Sequence, residues 1–339
     1  MSVATSSTSG VSVTPIAKRS ADEVERVAGE AVGLGPAATR GAGPPVKHVY
    51  ALTLEYDGTD FSGWQRQPGR RTVEGTLLDA LARVAGEAGP LTAAGRTDAG
   101  AHAHAQVVGC TLRRAWDCSR LRSALNAVLP ADVVVVDVRE APPGFHARFD
   151  AIARTYRYVV APRRERVAVL RQHAWFVRGE IDVDAMREAA NALVGTHDLA
   201  AFGRAPRAGG STVRTVHDVQ IRRLDLTGGL APLVAAGPSP TASPPTRSTS
   251  SALWAPPASP GAVEDERGSV VVIDVTADAF LYGMMRNLAS ALVAVGIRRL
   301  TTSEFAAMVE RGRRERPLTT APAHGLHQWR VTYKSETTA

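Results

Sequence analysis

Residues 50–85 read YALTLEYDGTDFSGWQRQPGRRTVEGTLLDALARVA, and a change of period inside that stretch decides the fold class. Tyr50–Tyr56 alternates apolar and polar side chains, the pattern of a half-buried strand, and stops at the turn signal Asp57-Gly58. From Thr72 the period becomes helical. Leu77, Leu78, Leu81 and Val84 fall on one face, and Thr72 is placed to cap the first turn. Further along, Val133–Val138 and Thr155–Val160 read as strands, and Trp329–Tyr333 as a closing one. Asp182–Val194 reads as a second amphipathic helix, with Met186, Ala189, Ala190, Leu193 and Val194 turned inward. Met284–Val295 is apolar on most sides and is expected to be a buried helix. A strand followed by an amphipathic helix thus recurs in both halves, and the expected class is mixed α+β.

Two stretches carry neither period. Residues 1–46 are rich in Ser, Thr, Gly, Ala and Pro, with one candidate for a transient helix at Ala21–Val32; residues 228–268 are rich in Pro and Ser. Both are expected to be disordered, because neither holds enough apolar surface to offset the entropy of ordering. His217–Leu226 alternates and Val270–Val275 is a β-branched run, so the insert 228–268 is expected to be an overgrown hairpin loop inside one domain.

The chain has 339 residues, 44% of them hydrophobic, which suffices for a real core. No apolar run approaches the ~18 residues of a membrane helix, and none of signal-peptide length stands at the N-terminus. Cys110 and Cys118 are the only cysteines, without CxxC or zinc-ribbon spacing, and the expected compartment is the reducing cytoplasm. The net charge is +7; the first 46 residues are neutral and the insert carries −1, which leaves +8 on the part that folds. That excess suits a polyanion partner.

Three clusters carry candidate chemistry. In Ala94–Ala103 (AGRTDAGAHA), Gly95 and Gly100 bracket Arg96, Thr97 and Asp98, so the backbone can turn and present those side chains. Taken alone, Asp98 is open between a nucleophile, a ligand-binding group and a salt-bridged turn residue. His102 and His104 share a face if the segment is a strand, but a metal needs further ligands that no recognisable spacing supplies, so hydrogen-bonded or exposed histidines are expected. In Phe145–Tyr158 (FHARFDAIARTYRY), Arg148, Arg154 and Arg157 interleave with Phe145, Phe149, Tyr156 and Tyr158, a composition suited to phosphates and exposed bases. On a strand Tyr156 and Tyr158 would share one face and Arg157 the other. In Ala277–Leu288 (ADAFLYGMMRNL), Arg286 sits among apolar neighbours and needs a paired anion if buried, for which Asp98 is the attractive candidate.

Taken in this order, the clusters resemble the tRNA pseudouridine synthase A family. Tyr56-Asp57-Gly58 running on to Phe61, Gly63, Trp64, Gln65 and Gln67 is similar to that family's opening block; Gly95–His102 is similar to its GRTDAG-x-H signature, Phe145–Tyr158 to FHARF…YRY, and Phe280–Asn287 to F-x(4)-VRN. Ala101 and Met285 stand where the family usually has Val, and the insert is far longer than its usual loop. The resemblance covers nearly all of residues 47–334. It implies a pseudouridine synthase fold: a mixed, largely antiparallel sheet flanked by helices, with two similar α/β halves (47–150 and 151–334) around a basic cleft. The implied activity is isomerisation of uridine to pseudouridine at positions 38, 39 and 40 of the tRNA anticodon arm, on a flipped-out base, without a cofactor or metal. Asp98 is then the catalytic carboxylate, Tyr156 the base-binding and proton-transferring tyrosine, and Arg286 the partner of the aspartate. Arg96 and the stretch Phe145, His146, Ala147, Arg148 and Phe149 match RNA-contacting positions, and the implied assembly is a homodimer. Two other classes stay open on residues alone: a tRNA-binding protein without chemistry, and a hydrolase that would need a second carboxylate near Asp98.

Overall fold

The structure, a computed structural model, describes residues 47–86, 89–166, 168–226, 233, 268–314 and 317–334. The tail 1–46 lies outside the described residues, as does the insert 228–268 apart from Leu233 and Gly268.

Among the described residues, ten strands form one sheet. They are β1 (His48–Tyr56), β2 (Thr92–Ala93), β3 (His102–Leu112), β4 (Val133–Glu140), β5 (Ala151–Arg163), β6 (Trp175–Arg178), β7 (Gly195–Asp198), β8 (Val213–Asp225), β9 (Ser269–Ala277) and β10 (Leu326–Tyr333). The helices are α1 (Val73–Ala85), α2 (Cys118–Val128), α3 (Val183–Ala190), α4 (Met284–Gly296) and α5 (Thr302–Arg311). The sheet runs β4-β1-β3-β10-β5-β9-β8-β7, with β2 added to β3 and β6 to β5. Its pairings are antiparallel except β3–β10 and β5–β6. The class is therefore α+β with a largely antiparallel sheet, as expected.

Local signals account for most elements. Thr72 Oγ1 accepts the Gly75 N–H and starts α1, whose Val73, Leu77, Ala80, Leu81 and Val84 are buried against the inward residues of β1. Strands β8 and β9 pair from Val216↔Ala277 to Asp225↔Ser269, so the segment between them leaves and re-enters the sheet at neighbouring positions. α4 is buried almost all round and packs under β5 and β9. The second predicted helix is shorter than its pattern: α3 ends at Ala190, residues 191–193 tighten into a 3₁₀ turn, and Val194 is half exposed rather than inward. α5 is announced by a capping box from Thr301 to Glu304, followed by buried Phe305, Met308 and Val309. No helix among the described residues is long and apolar enough to cross a membrane.

The strands from the N-terminal part meet those from the C-terminal part along one short seam, where β10 pairs with β3 through only His327↔His102 and Gln328↔Ala103. Strand alternation sends Gln328, with Tyr156 and Tyr158 of β5, to the helical face, and His327, with Arg157, to the other. Arg157 is completely buried. Its guanidinium grips Asp274 through Nε–Oδ1 (2.7 Å) and Nη2–Oδ2 (3.0 Å), donates to the Leu233 carbonyl and lies 3.6 Å above the Trp329 ring. It is therefore a structural ion pair and not one of the RNA-facing arginines that its interleaving with tyrosines suggests; a buried arginine needs such a partner.

The same face holds a stack of histidines. His102 lies 4.7 Å from His327 and 4.5 Å from His173, ring centre to ring centre, and His104 lies 5.5 Å from His327. Asp57, His102 and His173 bring ligand atoms within 4.8 Å of one another. Both nitrogens of His102 are already committed, however: Nδ1 accepts the Gly58 N–H (3.1 Å), and Nε2 faces the Gln172 carbonyl (2.7 Å). This histidine is hydrogen-bonded, with no lone pair left for a metal.

Burial holds His102, His324 and His327 below the ordinary imidazole range, and lowers His104 to about 4, with Arg157 and the neighbouring histidines acting in the same direction. In the unfolded chain these rings take protons near the usual value, so below about pH 6.5 the unfolded state binds more protons than the folded one. Stability is accordingly full above that pH and falls progressively toward pH 4. Thermal unfolding followed by circular dichroism should show a Tm several degrees lower at about pH 5 than at about pH 7.5. His104→Phe, which keeps a ring against Trp329, should reduce that drop; an unchanged pH dependence would remove the histidines as its source.

Candidate active site

The loop from Ala94 to Ala101 leaves the sheet at β2 and returns at β3, and alternate residues in it have opposite fates. Gly95 is clamped on its backbone by the fully buried Gln106, whose Oε1 accepts the Gly95 N–H (3.4 Å) and whose Nε2 donates to the Gly95 carbonyl (2.7 Å). Gln328, across the seam, donates to the same Gln106 Oε1 (3.0 Å). Thr97 is buried, with its hydroxyl 2.8 Å from Tyr56 Oη and its carbonyl accepting the Trp64 N–H. With Gly95 and Thr97 tied inward, Arg96 and Asp98 are left facing the cleft.

Asp98 Oδ2 receives Nη1 of Arg286 at 2.8 Å, so the structure makes the ion pair that the sequence invites. Arg286 stands in the first turn of α4 and is aimed by a second bond, from Nε to the Ala321 carbonyl (2.7 Å). About four-fifths of each side chain is out of solvent, which makes the pair stronger than a surface bridge without the full cost of a dry one. Oδ1 of Asp98 has no hydrogen-bond partner among the described residues, and the residue lines the cleft.

Tyr156 completes the inner wall. Its ring meets Phe280 edge-on at 4.6 Å, and its hydroxyl occupies the space where a Cβ on residue 95 would sit, only 2.7 Å away, which is why that position must be glycine. Burial pushes the Tyr156 phenol up to about 12, and the Asp98 charge adds to the rise against the opposing Arg154. It is a neutral hydroxyl at physiological pH, able to donate a hydrogen bond or carry a proton.

Arg154 is nearly buried and spends its donors on backbone. Nε reaches the Ala94 carbonyl and Nη1 those of Ala151 and Asp278, while Nη2 bonds the Arg148 carbonyl. It is better described as a hub tying three cleft loops than as a phosphate ligand. The expected RNA-contacting stretch divides in the same way. His146, Arg148 and Phe149 line the cleft, with Phe149 74% exposed and its ring 4.2 Å from that of His146 in a tilted contact. Ala147 is completely buried, its carbonyl taken by the Tyr333 hydroxyl, and Phe145 packs on Tyr333 away from the cleft wall. Those two support the loop and are not in the cleft wall.

The cleft measures about 980 Å³, and its wall includes Arg96, Arg148, Arg154, Arg204, Arg214 and Arg286 against Glu74 and Asp98. It is basic, with apolar and aromatic patches at Phe280, Tyr156 and Phe149. Such a surface accepts an unstacked base and its phosphates. The sequence reading misses Gln106, Gln328 and Arg204. A glutamine in the middle of an apolar strand (Gln106 before Val107 and Val108) is the available signal for the first, because a buried amide must find partners.

Comparison with known proteins identifies the family. The family model described as tRNA pseudouridine synthase matches residues 53–150 and 189–334. A tRNA pseudouridine synthase A of Roseiflexus castenholzii is 36% identical over 84% of this chain and 91% of its own length. One from Thermotoga maritima is 34% identical over 84% and 98% respectively, and one from Neisseria gonorrhoeae 36% identical over 85% and 92%.

The glutamine clamp makes a checkable statement about loop stability. Gln106→Leu strands the Gly95 amide and the Gln328 side chain, and should cost about 1–3 kcal/mol in urea denaturation. Adding Gln328→Leu removes one of the orphaned partners, so the double variant should be more stable than the sum of the single effects. Strict additivity would mean that the two amides are not coupled.

Proposed function

We propose a reaction for this cleft from one premise: the chain belongs to the tRNA pseudouridine synthase family. The enzyme is an isomerase that converts uridine to pseudouridine in tRNA. In that conversion the C1′–N1 bond breaks, a C1′–C5 bond forms, C5 gives up a proton and N1 gains one, so nothing is oxidised or reduced.

We assign the central role to Asp98. Arg286 holds Oδ2 in place and leaves Oδ1 unpaired on a residue that lines the cleft, and this one-sided pinning is the observation that carries the assignment. The free oxygen acts as nucleophile on the target nucleotide. Attack at C1′ expels uracil through N1; the freed base turns, and C5 closes on C1′ with release of the carboxylate. Attack at C6, or abstraction of the C2′ proton, would draw on the same carboxylate. Tyr156, neutral and within the same wall, stacks on the base and handles a proton, while Arg96, His146, Arg148 and Phe149 hold the RNA around the extruded nucleotide. Unstacking a base costs a few kcal/mol, which these contacts offset.

The family resemblance also supports three finer readings. The targets are uridines 38, 39 and 40 of the anticodon arm, two copies of the chain act together as a homodimer, and the enzyme works in the cytoplasm, where its tRNA substrate is. We read residues 47–150 and 151–334 as the two halves of one catalytic core, joined at the β3–β10 seam.

Tritium release from tRNA labelled at C5 of uridine tests the assignment. Wild type should release label and yield pseudouridine, whereas Asp98→Ala should release none while binding tRNA with nearly unchanged affinity. Normal release by the variant would take the chemistry away from Asp98. No release by the wild type, with tRNA still bound, would leave a non-catalytic binder.

A further inference from the structure

A second cavity of about 550 Å³ adjoins the cleft behind the Asp98–Arg286 pair. The two share Asp98, Arg204, Tyr282, Gly283 and Arg286, so the ion pair forms the ridge between them. Among the described residues the second cavity has no carboxylate in its wall apart from Asp98, and its cations are Arg204, Arg286, Arg313 and Arg314.

The fold delivers two of these arginines as free groups. Gly203 lies so close to α4's entry turn that a Cβ there would meet Leu281 Cβ at 2.5 Å. That approach lets Arg204 and Tyr282 exchange backbone hydrogen bonds in both directions (3.2 and 2.9 Å). The Arg204 guanidinium then rests 5.2 Å from the Tyr282 ring centre, exposed and without an acidic partner among the described residues. On the opposite wall α5 ends at Gly312, whose left-handed backbone (φ 61°) turns the chain so that Arg313 points outward. Arg314 bonds the Ala201 and Leu318 carbonyls and braces the turn. Arg313 is exposed and makes no ion pair among the described residues. Between the two walls α4 begins at Gly283 with no side chain capping its first amides. The cavity is thus a polar basic pocket with unspent donors, one side chain's width from the catalytic carboxylate.

We propose that this cavity holds a phosphodiester flanking the target uridine, with Arg204 and Arg313 as its ligands. The inference rests on the reaction assigned above. If the target C1′ sits at Asp98 and its base lies toward Tyr156 and Phe280, the rest of that nucleotide must leave the ridge on the other side. A phosphate lies next to every ribose in RNA, and a guanidinium is the side chain best matched to it. The nucleotide therefore straddles the ion pair, its base in the large cleft and a neighbouring phosphate in the small one. A contact of this kind positions the substrate without reading its sequence.

Binding of unmodified tRNA, measured by fluorescence anisotropy over a range of salt concentrations, tests this. Arg313→Ala should weaken binding up to about tenfold at low salt and lower the slope of log affinity against log salt by about 0.7–0.9. Arg204→Ala should do the same, and Arg313→Lys should keep most of the slope, because a single phosphate contact needs the charge more than the fork. Arg298→Ala, at the far end of α4, is the control for bulk charge; an equal effect there would overturn the proposal. A tRNA assembled by ligation with a neutral methylphosphonate on one or other side of the target uridine locates the contact. At one of the two linkages the affinities of wild type and Arg313→Ala should converge. A difference that persists at both would overturn the assignment, and would do so while wild-type tritium release stands, so its failure is distinct from failure of the isomerase reading.

Discussion

One ion pair, Asp98 with Arg286, organises the cleft. Asp98 stands on a loop between β2 and β3, and Arg286 stands in the first turn of α4, so the 2.8 Å contact ties a loop of the N-terminal strands to a helix of the C-terminal ones. A carboxylate in a partly closed cleft requires a counter-charge. Here that counter-charge also fixes orientation, since it engages one oxygen and leaves the other unpaired. Had both oxygens been gripped, as the Arg157 guanidinium grips both oxygens of Asp274, the aspartate would be a strut and not a reagent.

The surroundings are built to hold that pair still. The parallel seam between β3 and β10 is only two residue pairs long, too short to set the two sets of strands by backbone bonding alone. Buried polar side chains reinforce it on both faces. On the cleft face Gln106 and Gln328 join across the seam and clamp Gly95, and Tyr56 holds Thr97. On the opposite face His102 and His327 stack, and Arg157 and Asp274 cross-link β5 to β9. Groups of this kind stabilise only when satisfied, so they penalise any shift of one half against the other. The Oε1 of Gln328 and Nδ1 of His327 are the buried side-chain atoms of this network left without a partner.

Much of this was legible from residue order. The β1–α1 unit follows from period and capping alone, and the β8–β9 hairpin from an alternating stretch and a β-branched run that flank a Pro- and Ser-rich segment. The pairing of Asp98 with Arg286 could be anticipated because an arginine among apolar neighbours needs an anion. Other features were illegible for a physical reason. In the run Arg148, Arg154 and Arg157 the three side chains look alike, yet one faces the cleft, one bonds carbonyls and one is buried on a carboxylate. Their fates depend on which distant backbone or side chain lies opposite. Ala147 and Phe145 read as RNA contacts by membership of a motif, but the loop turns them inward to pack under Tyr333.

By itself, then, the sequence determined the class of fold, the family and the candidate site residues, because these depend on local period, local turn chemistry and the kinds of side chain present. Only the tertiary structure decided which oxygen of Asp98 is free, which arginines are spent and which remain available, and that a second basic cavity opens behind the ion pair. Those properties arise where strands and helices far apart in sequence come into contact, and they are set by which donor and acceptor meet there.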